Sequence, residues 1–318
     1  MSLKKWAAVI AGLSTAIIAQ NALAGEFPER PIELVIHASY GGGTDTTARM
    51  MSIKTRRALG VDIVINSQRG GAGLTAQEYV LKKPADGYTV IALTQTHLYT
   101  MARGKTQMKI DDIIGIARAM DDPNVIMVSK DSPYKTLSDL VAASKKKKLK
   151  WGIGDIGNTE HVGIMRFGKV SGMEFVPVPF GGGSGVLQAV MSGAIDGMAE
   201  SMSESRAQID EGNLRPLAVM AEERLSTYPN IPTTFELGYP VKVSTTRGYG
   251  VLAGTPPEIV KILSDAFVKG MSSEVFANYL KGSGLTVEGS VAGTDVWTKN
   301  LKEEYANAEI VVEALGMK

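Results

Sequence analysis

The feature that most restricts this chain is an alternation. Short apolar runs keep stopping at turns rich in Gly, Ser, Thr or Asn, and most of these turns lead into a stretch with helical spacing. "IELVIHA" (32–38) reads as a strand, and "DTTARMMSIKTRRAL" (45–59) as a helix with Ala48, Met51, Thr55 and Ala58 on one face. "VDIVINS" (61–67), "LTAQEYVLKK" and "YTVIALT" (88–94) continue as strand, helix and strand. A second unit follows over roughly 124–220: strand "NVIMVS", helix "LSDLVAASKKK", strand "LKWGIG", helix "EHVGIMRFGKV", strand "FVPVPF", helix "GVLQAVMSG", and strands "AIDGMAE" and "RPLAVMA". A proline-marked loop (228–240), the strand "RGYGVLAG" and two or three helices complete the chain. Alternation of this kind implies an α/β fold with mostly parallel sheets covered by helices.

The first 24 residues stand apart. A basic start ("MSLKKW"), an apolar stretch too short for a comfortable membrane span and a small-x-small "ALA" at 22–24 form a secretory signal peptide, cut after Ala24. Removing it leaves 294 of the 318 residues, long enough for two domains. Without Lys4 and Lys5, 32 basic side chains face 33 acidic ones, which gives no electrostatic footprint for nucleic acid. The absence of cysteine excludes zinc–thiolate sites and thiol catalysis. The lysine run at 145–148 ends a helix, where cations are favoured, and reads as a solvated terminus.

In open parallel sheets ligands bind beyond the C-terminal strand ends. Here those ends carry "SYGGGTD", "NSQRGGAGL" (66–74), "TQTHLY" (94–99), "GIGDIGNTEH" (152–161), "FGGGSG" (180–185) and "ESMSES" (200–205). Helix N-termini present unpaired N–H groups and partial positive charge, so two such sets describe a cleft for a small acid. Sharper motifs fail. Thr46 replaces the last glycine of G-x-G-x-x-G, no P-loop is present, and Val186 replaces the last glycine of G-x-S-x-G. Ser184 then reads as a helix cap. His37, His97 and His161 lack metal-binding spacing, so no metal or cofactor is expected. Asp45 reads as the residue that holds the first glycine turn, and Arg69 as the cation of the first unit's cleft loops.

Ten segments appear in an order that resembles the extracytoplasmic receptors of tripartite tricarboxylate transporters, the Bug-type solute-binding proteins. They are "PERPIELVI", "GGGTD", "KPADGYT", "DSPYKTLSDLV", "GIGDIGNTEH", "VPFGGGSG", "SGAIDGM", "GNLRPLAVMAEERL", "YPNIPTTFELGY" and "RGYGVLAGTPPEIV". The resemblance implies a two-domain periplasmic-binding-protein clamshell of type II-like organisation. Domain 1 would span 25–120 plus 250–318 and domain 2 would span 121–249, with crossings near 117–123 and 245–250 and the ligand cleft between them. It implies a monomeric periplasmic receptor, without enzymatic activity, that closes on a small organic acid and delivers it to the large and small membrane subunits of a transporter. The expected ligand-binding residues are Ala38, Ser39, Tyr40, Gly41, Gly42, Gly43, Thr44, Gly71, Thr94 and Thr96 from one side. From the other come Gly154, Asp155, Asn158, Thr159, His161, Gly182, Gly183, Ser184, Glu200 and Ser201.

The departures from the family pattern are informative. His37 and Ala38 stand where Pro and an aromatic are usual, Asn158 where Ser is common, and Thr246 where Trp is common. Asp155 and Glu200 add negative charge to an anion site, which favours a monoacid, an aromatic acid or an acid carrying an amine over a tricarboxylate. Two other functions remain open from sequence: a sensor subunit for a membrane signalling protein, and a cleft hydrolase or isomerase using His161 with Asp155.

Overall fold

The computed structural model describes residues 27–318; the signal peptide assigned to 1–24 lies outside them. Strand β1 (Ile32–Ile36) lies between β2 (Ile63–Ser67) and β3 (Thr89–Leu93), parallel to both. In the second half, β5 (Leu149–Ile153) lies parallel between β6 (Phe175–Pro179) and β7 (Gly197–Ser201).

Two long strands tie these triplets together. β4 (Ile113–Ser129) pairs antiparallel with β9 (Ser244–Leu252) over Ile113–Pro123 and antiparallel with β7 and β8 (Leu214–Val219) from Asn124 onward. β9 also pairs antiparallel with β3, and the short β10 (Ala292–Gly293) lies against Ala117 and Arg118 of β4. Each half is therefore parallel in its βαβ part and antiparallel where shared strands enter. The sequence pattern showed only the second portion of β4. Asp121, Asp122 and Pro123 interrupt its apolar run, at the point where β4 changes partner from β9 to β7 and β8.

Helix α1 (Gly43–Leu59) shows how the elements form. Its buried stripe is Ala48, Met51, Thr55 and Leu59, so Leu59 rather than the exposed Ala58 ends the face. Gly60, at φ 75°, stops the helix by donating its N–H to the Arg56 carbonyl. The stripe packs into a core with Leu34 and Ile36 of β1, and with Leu263 and Phe267 of α8 (Pro257–Met271). Fully burying such side chains contributes about 1.5–3 kcal/mol each. On the other face, Trp297 of α11 (Thr294–Ala314) fits because Gly115 and Gly248 carry no Cβ; its Nε1 donates to the Tyr249 carbonyl at 3.1 Å. Two further cores fill the second half, one around Trp151 and Phe167 and one around Val186 and Met198.

The remaining helices are α2 (Leu74–Val80), α3 (Gln95–Ala102), α4 (Leu137–Ser144), α5 (Thr159–Ser171), α6 (Gly183–Met191), α7 (Met202–Asp210), α9 (Glu274–Gly282) and α10 (Val287–Ser290). α3 and α7 occupy segments expected to be strand-end loops. In both places the strand turns almost directly into a helix, without the glycines that mark the other turns. No helix among the described residues is long and apolar enough to cross a membrane.

Candidate functional site

A cavity of about 60 Å³ lies where the two halves meet. Four helix starts border it: Gly42, Gly43 and Thr44 at α1, Thr94 and Thr96 at α3, Asn158 and Glu160 at α5, and Gly182 and Gly183 at α6. The first-turn N–H groups of a helix have no intrahelical acceptor, so these termini offer hydrogen-bond donors and positive potential from both sides.

The first glycine turn is held as its sequence implies. Gly41 takes φ 83°, and its N–H donates to Asp45 Oδ2 at 2.8 Å. Arg49 Nε donates to the same oxygen at 2.8 Å. Asp45 thus fixes the loop and does not line the cavity. In the second half, Gly181 and Gly182 adopt φ 71° and 149°, a path open chiefly to glycine.

Gly43 and Gly183 are small for a different reason. A Cβ on Gly43 would stand 2.3 Å from both Arg247 Nη2 and Glu204 Oε1, and a Cβ on Gly183 would stand 2.3 Å from Glu204 Oε2. The two glycines leave room for an ion pair between the helix ends.

That ion pair is the part of the site that sequence reading missed. Arg247, on β9, is 3% exposed. Its Nη1 donates to Asp122 Oδ2 at 2.8 Å, and its Nη2 donates to Glu204 Oε1 at 2.9 Å and to Ser201 Oγ at 3.0 Å. Ser201 Oγ donates to Glu204 Oε1 at 3.2 Å, and Ser203 donates to Asp122 through both its N–H and its hydroxyl. Burial works against the guanidinium charge, but Asp122 and Glu204 outweigh it and hold the proton more firmly than usual. The only prior signal was an arginine at the start of an apolar strand.

The acids around it are under strain of charge. Burial pushes the Asp122 carboxyl above its ordinary value despite Arg247. Burial pushes Glu160 up to about 7, with Glu204 adding to the effect and hydrogen bonding at its own N–H and Arg247 opposing it. Burial, and then the charges of Glu160 and Glu204, push Glu200 far above the carboxylate range. Asp155 is raised by burial, against the Ala72 N–H and Arg69.

The expected residues divide by position. Ala38, Gly42, Gly43, Thr44, Thr94, Thr96, Gly154, Asp155, Asn158, Gly182, Gly183 and Glu200 line the cavity, joined by His37, Glu160, Gly181, Glu204, Thr245 and Arg247. Ser39, Thr159 and Ser184 lie outside the lining and bridge the halves instead. Ser39 Oγ lies 3.4 Å from Ser184 Oγ, and Thr96 Oγ1 lies 3.0 Å from Thr159 Oγ1. Ser184 makes no cap on α6; the N-cap is Gly182.

Arg69 Nη2 donates to the Gly181 carbonyl at 2.8 Å and Arg103 Nη1 to the Ile156 carbonyl at 3.1 Å, so both cations join the halves. Tyr40 is 58% exposed and accepts from Ser67 N at 3.3 Å. Gly41 and Gly71 shape their turns at positive φ. Ser201 serves the Arg247 network.

His161 and His97 each accept a backbone N–H near a helix start, while His37 lines the cavity. His161 Nδ1 accepts from Gly157 N at 2.9 Å, and burial lowers its pKa to about 4. His97 Nδ1 accepts from Thr94 N at 3.2 Å and is likewise lowered by burial to about 4. The His37 and His97 rings meet edge to face at 4.3 Å, and burial, then His97 and Arg247, hold His37 well below its ordinary value.

Comparison with known proteins fits this architecture. Residues 47–317 match the model for the tripartite tricarboxylate transporter family receptor. The chain belongs to this receptor family. Bordetella pertussis BugT, a relative, is 26% identical over 86% of this chain and 86% of its own length. MatC of Rhodopseudomonas palustris, solved with bound malate, superposes with a TM-score of 0.84 at 26% identity, over 90% of this chain and all of that one. A second R. palustris protein, solved with adipate, gives 0.84 at 26% identity, over 92% of this chain and 99% of that one. The family's two-domain periplasmic-binding-protein clamshell is the fold of this chain.

Proposed function

We propose that this family member is an exported, periplasmic receptor that captures one small organic acid and delivers it to the large and small membrane subunits of a tripartite tricarboxylate-type transporter. One observation carries the reading: helix starts from opposite halves face each other across a small cavity, with Gly42–Gly43 on one side and Gly182–Gly183 on the other. A ligand carboxylate receives first-turn N–H groups there, where a helix terminus favours negative charge. The malate and adipate held by the two R. palustris relatives support an acid as cargo.

The receptor divides into 25–120 plus 250–318 and 121–249, a reading supported by strands β4 and β9, which link the two sets of βαβ strands. Closure draws the halves together, and the Arg69–Gly181, Thr96–Thr159 and Ser39–Ser184 contacts form in the closed state. A ligand shifts this equilibrium only by its preference for the closed form. The chain acts without bond chemistry: His161, the candidate base, spends its Nδ1 on the Gly157 N–H.

A thermal-shift screen of the mature protein against mono-, di- and aromatic acids tests the proposal. An acid at about 100 times its Kd stabilises by about 2.7 kcal/mol. Stabilisation by neutral solutes and by no acid contradicts it.

A further inference from the structure

The cavity is more acidic than an acid receptor requires. Asp155, Glu160, Glu200 and Glu204 line it, and Arg247 is the cation among its lining residues. That guanidinium is already engaged by Asp122 and Glu204. Glu200 has no such partner. It is the penultimate residue of β7, is 1% exposed, lines the cavity, and its Oε1 has no hydrogen-bond donor opposite it. Removing a carboxylate from water without a hydrogen-bonding or charged partner is costly. A buried, unpartnered oxygen at a cavity wall therefore marks a place where a donor group of the ligand belongs.

We infer that the cargo is an amino-bearing acid, whose carboxylate meets the helix starts at Gly42–Gly43 and Gly182–Gly183 while its cationic nitrogen sits against Glu200, with Glu160 and Glu204 beside it. This rests on the acid-receptor function proposed above and specifies the ligand class. A dicarboxylate would bring a second carboxylate to a wall already lined by several carboxyl groups; an ammonium supplies the missing donors and a compensating charge together.

Proton occupancy fits the same arrangement. The groups facing Glu200 are Asp122 on β4, Glu160 on α5, Glu204 on α7, Arg247 on β9 and, around the cavity, Asp155 and His37. Burial and the neighbouring acids favour the neutral form of Glu200, and the wall is relieved in the empty protein by holding protons. A bound ammonium takes over that role and displaces protons, which a second carboxylate does not do.

The test is a calorimetric titration of the mature protein with matched pairs: linear acids of three to six carbons, succinate and benzoate, each with and without an amino substituent, plus the corresponding simple amines. The tightest ligand is expected to carry both groups and to bind at least about tenfold better than its amine-free partner, in line with a charge-assisted hydrogen bond. Its binding releases protons near neutral pH, seen as a heat that scales with the ionisation enthalpy of the buffer. Glu200→Gln reduces the pairwise preference to about threefold or less, and Glu160→Gln weakens it as an independent check should the first variant fold poorly. If an amine-free acid is the tightest ligand and its amino analogue binds no better, the inference is wrong while the acid-receptor reading stands. If simple amines bind as tightly as amino acids and no acid binds, both are wrong.

Discussion

At the scale of single residues, Arg247 organises the site. It joins Asp122 of β4 to Glu204 of α7, and all three side chains are largely withdrawn from water. Removing one partner of such a pair leaves an uncompensated buried charge, at a typical cost of about 3–5 kcal/mol. Asp122→Ala is expected to lower unfolding stability by that order in urea melts. Removing the exposed Lys302–Asp111 pair by Lys302→Ala is expected to leave the midpoint unchanged within error.

Titration gives a second expectation. Glu160 and Glu304 are raised by burial to about 7 from an ordinary 4.5, so the stability they contribute is complete below about 4.5 and is lost as pH rises through about 7. His97 and His161 act in the opposite sense, losing their contribution as pH falls from about 6.5 to about 4. Between about pH 6.5 and about pH 8 the carboxyls dominate. The ligand-free melting temperature should fall across that interval, and Glu160→Gln should flatten the fall; a rise would contradict the assignment.

Among elements, the helix starts decide the chemistry. Gly43 begins α1 with room for Glu204 and Arg247 that a methyl group would fill. Gly43→Ala is therefore expected to weaken acid binding at least tenfold in calorimetry, whereas Gly289→Ala, whose Cβ meets only the nearby Thr286 hydroxyl at an ordinary 3.5 Å and which does not line the cavity, should bind as wild type.

The same elements show what the sequence could and could not reveal. β1, β2, β5 and β6 stood out because their apolar runs end in glycine-rich turns. α3 and α7 did not, because Thr94 and Ser201 pass straight from strand to helix and the helices "QTHLYTMA" and "MSESRAQID" are short and polar. Arg247 was hidden for a related reason. In the register of β9 against β4 it lies opposite Met120, and the carboxyls it meets are remote in sequence, Asp122 on β4 and Glu204 on α7. The glycines of the cleft were legible as turn formers, but the space they leave for Glu204 is visible only once α1, α6 and α7 meet.

On the scale of the whole molecule, polar contacts cross the cleft between the halves. Polar contacts between the halves, notably Arg69 to Gly181 and Arg103 to Ile156, involve partly exposed side chains and are individually weak. On the proposed closure they bear on the balance between open and closed forms rather than on the identity of the ligand. The double variant Arg69→Ala, Arg103→Ala is expected to enlarge the ligand-free radius of gyration in solution scattering. Its apparent affinity should fall by the factor by which the closed population falls, without a change in ligand preference.

The most direct test of the account is a crystal structure of the mature protein with the acid that stabilises it most. The account predicts one ligand in the cavity between the halves, its carboxylate within hydrogen-bond reach of the helix-start N–H groups at Gly43 and Gly182–Gly183, and its opposite end against Glu200. Density for the acid in a surface groove, such as the one between Pro257 and Val296, with the central cavity empty, would contradict it.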